Sequence, residues 1–195
     1  SGRHEFSGID KQPQPFIDVA APGPHYGDGS GVRGDIIGDT QHHGGNDKAI
    51  YAYAREELDY WQSELSRPLA SGCFGENLTT QGVDLSALLI NQRLRIGTAV
   101  LEVSVPRQPC STFAGWLGER GWLKRWTARG DCGTYLRIIS PGRIQPGDCI
   151  TMDAPPNHDI TMRIAFAAKM GNRTLAQRVI EAGCLPPHQN NSLRA

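Results

Sequence analysis

The period of the hydrophobic positions changes several times along the chain, and each change predicts a different kind of element. Over residues 48–66, apolar side chains fall at Ile50, Tyr53, Ala54, Leu58, Trp61 and Leu65, spacings of three and four that line one helical face. Asn46 is suited to cap that helix and Pro68 to stop it. Further on the period shortens to two. Leu94 and Ile96, then Leu101, Val103 and Val105, alternate with Arg95, Glu102 and Ser104, as half-buried strands require. Gly97-Thr98 predicts the hairpin turn between them.

Residues 112–120 read as a short helix with Phe113, Trp116 and Leu117 on its inner side, and Trp122 and Trp126 read as core. Residues 135–139 and 149–152 read as strands, set off by Pro141-Gly142 and Pro146-Gly147. The first 45 residues are turn-rich, with one short extended piece at 16–19. Helical spacing returns over 160–170 and 174–182, interrupted by Gly171-Asn172 and ended by Gly183, with Pro186-Pro187 barring continuation. A boundary near Pro156 therefore divides residues 1–156 from a small helical domain at 157–195. Frequent strands with helices between them predict a mainly β, α+β fold, an antiparallel barrel or sandwich rather than a doubly wound sheet.

Composition narrows the function. The 195 residues carry 20 basic and 20 acidic side chains, a formal net charge of zero. That balance argues against sequence-independent nucleic-acid binding, which needs a clear basic excess. No run approaches the roughly 18 apolar residues of a membrane helix, and Ser1 to Phe6 form no apolar signal region. Five widely spaced cysteines without a Cys-x-x-Cys pair point to reduced thiols in a cytoplasmic protein, not to a disulfide framework or a zinc site. The chain begins without Met and inside what reads as a motif, so a processed or truncated N-terminus is expected.

Two stretches could carry chemistry. In Pro106-Arg107-Gln108-Pro109-Cys110-Ser111-Thr112, two prolines restrict the backbone between a strand and a helix start, with Arg107 near the thiol. A helix N-terminus and a neighbouring cation both favour the anionic sulfur that soft-metal ligation or nucleophilic attack requires. A buried structural cysteine before a helix is the plain alternative. In Gln41-His42-His43-Gly44-Gly45-Asn46-Asp47-Lys48, two glycines, a helix N-terminus and a lysine are the ingredients of a phosphate cradle, and equally of a tight turn feeding a helix. Adjacent histidines do not have helical zinc-pair spacing, so zinc is set aside.

Arg33, in Gly31-Val32-Arg33-Gly34-Asp35, can clamp an anion or pair with Asp35 across a turn. Asn77, in Gly72-Cys73-Phe74-Gly75-Glu76-Asn77-Leu78, offers an amide to a heterocycle edge or sits in an ordinary turn. Lys11 is a lone cation of the kind that usually faces solvent. Cys73, Cys132, Cys149 and Cys184 lack local activation and read as structural.

The order of these signatures carries more than any one of them. Ser7-Gly8-Ile9-Asp10-Lys11, Gly31-Val32-Arg33-Gly34-Asp35, His43-Gly44-Gly45-Asn46-Asp47-Lys48-Ala49, Phe74-Gly75-Glu76-Asn77-Leu78 and Pro106-Arg107-Gln108-Pro109-Cys110 resemble, in succession, those of MOSC domains, named for the C-terminal domain of molybdenum cofactor sulfurases. The chain is most similar to the free-standing YiiM-like branch, whose members add three helices behind the barrel. The resemblance implies an antiparallel MOSC-type β-barrel with inserted helices and a pocket for the molybdenum cofactor. It makes Cys110 the molybdenum ligand and catalytic residue. Lys11, Arg33, His43, Gly44, Gly45, Lys48, Asn77 and Arg107 are the positions expected to hold the cofactor. The implied activity is reduction of N-hydroxylated compounds such as hydroxylaminopurine, with electrons from a separate donor protein. The alternative is a non-catalytic carrier of the cofactor or its sulfur. A homodimer is compatible with the sequence, which does not itself set the oligomeric state. A leading strand is expected before the first signature and is either absent or outside the chain.

Overall fold

The structure, a computed structural model, describes residues 8–38 and 43–194. Ser7, Gln41 and His42 of the motifs above lie outside the described residues. Eight strands are seen among the described residues: β1 (Ile17–Val19), β2 (Ile50–Ala54), β3 (Leu78–Thr80), β4 (Arg93–Ile96), β5 (Ala99–Val103), β6 (Thr134–Ser140), β7 (Gly142–Ile144) and β8 (Ile150–Met152). Six of them form one curved sheet in the order β3-β2-β6-β5-β4-β8, and β1 pairs with β7 beside it. The result is a half-barrel, mixed rather than purely antiparallel, within an α+β fold. Helices α1 (Arg55–Leu65), α2 (Ser111–Leu117) and α3 (Trp122–Arg129) are inserted between strands, and α4 (Met162–Lys169), α5 (Arg173–Ala182) and α6 (Pro187–Asn191) follow them.

The helix expected over residues 48–66 is half strand. Ile50 to Ala54 are all buried and sit centrally, paired antiparallel with β6 and parallel with β3. A strand covered on both faces reads as a continuous apolar run, and such a run is indistinguishable from a helical face by periodicity alone. Ile50, Tyr51 and Tyr53 have the β-branched or aromatic side chains that suit it. The helix starts only at Arg55, so Ala54 rather than Asn46 occupies the N-cap. It ends before Pro68, where Ser66 turns left-handed at φ 50°. Asn46–Lys48 form a single 3-10 turn instead. Because α1 carries the chain across the sheet, β2 and β3 run parallel, as a helical crossover allows.

Other expectations hold in their main lines. The β4–β5 hairpin turns at Gly97-Thr98 in antiparallel register. α2 buries Phe113 and Leu117, but Trp116 faces outward at 47% exposure, its indole N–H donating to the Cys73 carbonyl at 2.9 Å. Trp122 and Trp126 are core. Pro186-Pro187 do not end helical structure: Pro187 opens α6, a first-turn position where its missing N–H costs nothing.

An aromatic stack organises the interior. Phe74, Phe113 and Trp122 meet edge to face with centroids 4.9–5.7 Å apart, and Trp61 packs on Trp122 at 4.6 Å. Trp126 extends the stack to Phe166 on α4 at 5.6 Å. Backbone bonds tie the C-terminal helices to the half-barrel as well, from Met162 N–H to Leu88 carbonyl at 2.8 Å and from Ile90 N–H to Ile160 carbonyl at 3.0 Å. Among the described residues, no helix is long and apolar enough to cross a membrane.

Candidate functional site

One cleft, enclosing about 120 Å³, opens where four loops meet the β2–β6 part of the sheet. Lys11, His43, Gly44, Lys48, Asn77, Arg107 and Cys110 all line it. Arg33 and Gly45 do not. Arg33 is exposed, its backbone N–H bound to the Asp18 carbonyl at 3.0 Å. Gly45 is buried against a neighbouring loop, and a Cβ there would stand 2.3 Å from the His25 carbonyl oxygen. The residue is therefore glycine because two backbones cross, at φ 76°, and not to admit a ligand.

Lys11 enters the site paired. Its ammonium donates to Asp35, which also accepts from Ser30 Oγ at 2.7 Å and from the Asn77 side-chain amide at 2.8 Å. Asp35 thus belongs to Lys11 and not to Arg33. Asn77 is equally committed, because its amide oxygen accepts the Tyr51 backbone N–H at 3.0 Å. Asn77 braces the cleft wall by joining two loops to the edge of β2, so the free amide expected for a heterocycle edge is not there. Two further expectations fail at this wall. The His43–Lys48 turn leads into a strand, so no helix dipole reinforces it, and α2 behind Cys110 spans only seven residues. Cationic side chains, rather than helix termini, carry the electrostatics.

Arg107 departs from that pattern of paired charge. It is 6% exposed, with its guanidinium carbon 4.3 Å from the Phe113 ring centroid and 4.6 Å from that of Tyr51. It donates to the Phe74 carbonyl, yet its Nε is buried with no partner. Among the described residues, no carboxylate lies within ion-pair distance of it. Burial raises Tyr51 and pushes Tyr135 up to about 12, so neither phenol supplies a counter-charge at neutral pH. A guanidinium does not deprotonate in proteins, and an isolated buried charge is costly. Cys110, half-buried, lines the same cleft. The Pro106–Cys110 loop is what places them together: β5 leads into it, and Cys110 occupies the N-cap of α2.

The other cysteines differ. All five are unpaired. Burial, and then the Glu76 carboxylate, push the Cys73 thiol up to about 12, and burial likewise raises Cys132 and Cys184. Cys149 is exposed and fills no core position, a correction to its structural reading.

Tyr51, Tyr135, Ser30, Asp35 and Thr112 also line the cleft and were not singled out from the sequence. Tyr51 falls in the stretch whose spacing predicts a helix, and Tyr135 in one that predicts a strand. Only the pairing of β2 with β6, Tyr51 opposite Tyr135, sets both rings at the cleft floor, 5.2 Å apart.

This half-barrel, with its cysteine and cationic side chains at the mouth, is that of a MOSC domain. A family model of the MOSC domain matches residues 39–151, and the chain belongs to that family. It is similar to an uncharacterized protein, YflK, of Bacillus subtilis (strain 168), 40% identical over 156 residues that cover 78% of this chain and 71% of that one. It is also similar to the protein YiiM of Escherichia coli (strain K12), 31% identical over 58% of this chain and 52% of the relative. A protein of Gibberella moniliformis named a reductase is 31% identical over 67% of this chain and 24% of its own length. The chain therefore spans about half of the Escherichia coli relative and about a quarter of the fungal one. The crystal structure of YiiM from Geobacillus stearothermophilus superposes with a TM-score of 0.76 at 26% identity, covering 96% of this chain and 87% of that one.

Proposed function

We propose that the cleft holds the molybdenum cofactor and that the protein reduces N-hydroxylated compounds, such as hydroxylaminopurine-type bases, with electrons from a separate donor protein. The observation that carries this reading is the buried Arg107 guanidinium, with an orphaned Nε and no carboxylate in reach among the described residues, in the cleft that Cys110 also lines. A site of that kind is completed by an anion, and the molybdenum cofactor carries one, a phosphate for the cations, beside a metal that a thiolate can ligate. The donor set fits the group.

In this reading Cys110 ligates the metal, Arg107 and Lys48 neutralise the phosphate-bearing pterin, and Asn77 with Asp35 keeps the Lys11 side of the cleft in shape. Tyr51 and Tyr135 keep their phenolic protons at neutral pH and present neutral rings at the floor. Once bound, the cofactor supplies the two-electron chemistry that removes the oxygen of an N-hydroxyl group. The balance is R–NHOH plus two electrons and two protons giving R–NH2 and water. The Gibberella moniliformis relative named a reductase favours the same class of reaction.

The test is to reconstitute wild type and Cys110→Ser with the cofactor, then measure molybdenum by elemental analysis, pterin by fluorescence, and turnover of a hydroxylaminopurine with a chemical reductant. Stoichiometric metal and turnover in wild type, both lost in Cys110→Ser, are expected. Binding without turnover makes the protein a carrier, and absence of both metal and pterin in wild type overturns the reading.

A further inference from the structure

The C-terminal helices reach the cleft through one tyrosine. Tyr26 sits in the loop leading toward the Gly44-Gly45 turn. Its hydroxyl accepts from Gln189 Nε2 at 3.0 Å and lies 3.1 Å from His188 Nε2, both on α6. The His188 ring meets the Tyr26 ring edge-on, with centroids 5.7 Å apart. The Tyr26 ring also carries the Lys48 ammonium, 4.6 Å from its centroid, and Lys48 lines the cleft.

The support behind Tyr26 is itself anchored. Lys169, at the end of α4, donates to the Gln189 carbonyl at 2.6 Å and to Ser192 Oγ at 2.5 Å, fixing α6 to the helix before it. Burial, and then the nearby Lys48 charge, bring Lys169 down to about 8, so the two ammonium groups feel each other. The face of an aromatic ring attracts an ammonium, and the Tyr26 ring is one of the groups that hold Lys48, with the Tyr135 ring 5.7 Å from the same ammonium.

We propose that Tyr26 is a positioning residue for the cleft: α6 fixes its ring, and the ring fixes the Lys48 ammonium, so that the C-terminal helices set the affinity of the cleft for an anion. The inference rests on the reading that the cleft takes a phosphate-bearing group. It assigns to residues more than 160 positions apart in sequence a single task, and it makes the helical segment part of the site.

The test uses cofactor-free full-length protein, with inorganic pyrophosphate as the probe in calorimetry and the proton resonance of the Lys48 ε-methylene as a reporter of the ring above it. Tyr26→Leu is expected to weaken pyrophosphate binding about fivefold, the size of an exposed cation–π contact, and to move the Lys48 resonance downfield. Tyr26→Phe keeps the ring but loses the tether, and is expected to fall between wild type and Tyr26→Leu in both readouts. In a His188→Ala/Gln189→Ala background, Tyr26→Phe is expected to add nothing further, because the shared hydrogen bonds are already gone. A merely structural role lowers the melting temperature and leaves the pyrophosphate affinity of the folded protein unchanged.

The proposal is overturned by a folded Tyr26→Leu protein with wild-type affinity, by additive effects in the double background, or by wild-type protein that does not bind pyrophosphate. Should Tyr26→Leu not fold, the Tyr26→Phe cycle decides alone. Pterin and molybdenum content of the wild type separately judges the cofactor reading, so the two can fail independently.

Discussion

The guanidinium of Arg107 stands 4.3 Å from the ring centroid of Phe113, on the first turn of the helix that Cys110 caps. The ring supports the cation but does not neutralise it. Removing an uncompensated buried charge in favour of an apolar side chain of similar reach is often neutral or stabilising. Arg107→Met is therefore expected to keep or raise the melting temperature while weakening pyrophosphate or cofactor binding more than tenfold. Arg107→Lys is expected to bind weakly too, since a compact ammonium does not reproduce the planar fork. Thermal unfolding beside calorimetric titration checks both, and a destabilised Arg107→Met that still binds the anion contradicts the assignment.

Cys110 caps α2 without a side-chain hydrogen bond to the helix. Serine is among the preferred residues at that position and gains about 0.5–1 kcal/mol over poor caps. In a chain of this size that corresponds to a rise of about 1–3 °C in melting temperature. Cys110→Ser is thus expected to be slightly more stable than wild type while losing molybdenum, which separates a loss of the ligand from a loss of the fold. Differential scanning calorimetry and elemental analysis on the same sample are the measurement.

Glycine at 45 answers to backbone crowding. Gly45→Ala brings a Cβ to 2.3 Å from the His25 carbonyl oxygen at φ 76°, whereas Gly34→Ala, at φ 82°, meets nothing within 4 Å. The second substitution is expected to cost only the left-handed backbone penalty, about 1 kcal/mol, and the first about 3 kcal/mol. Urea unfolding of the two variants compares them directly, and equal costs refute the crossing-backbone account.

Asp131 responds to pH. Burial, then the neighbouring Glu57 carboxylate, push its carboxyl from an ordinary 3.8 up to about 6, against the opposing pull of Arg163, 3.4 Å away. The folded state therefore binds more protons than the unfolded state between about pH 4 and pH 6. The contribution of Asp131 to stability is greatest at the bottom of that window and declines as pH rises through it. Asp131→Asn is expected to flatten this decline, so that wild type loses ground to the variant between pH 4 and 6.5. Urea midpoints at four pH values read the difference, and parallel curves refute it.

Much of the architecture was legible in the chain. The Leu94–Ile96 and Leu101–Val103 alternation, the Gly97-Thr98 turn and the helices on either side of Gly171-Asn172 are local patterns, and local patterns survive folding because each is set by neighbours in sequence. The signature residues were legible too, in the order in which the family carries them. The sequence alone thus determined the kind of fold and the MOSC membership.

The tertiary structure decided what each charge and ring does. Residues 50–54 became a strand because both their faces are covered, which no periodicity within the segment reveals. Lys11 and Asn77 are engaged with Asp35, Arg33 stands outside the cleft, and Arg107 is buried with no carboxylate in ion-pair distance among the described residues. Tyr26 gained its place from a helix at the far end of the chain. Sequence spacing fixes which side chains are near one another along an element, but charge compensation and burial depend on partners brought together from distant segments, and only the packed molecule supplies those.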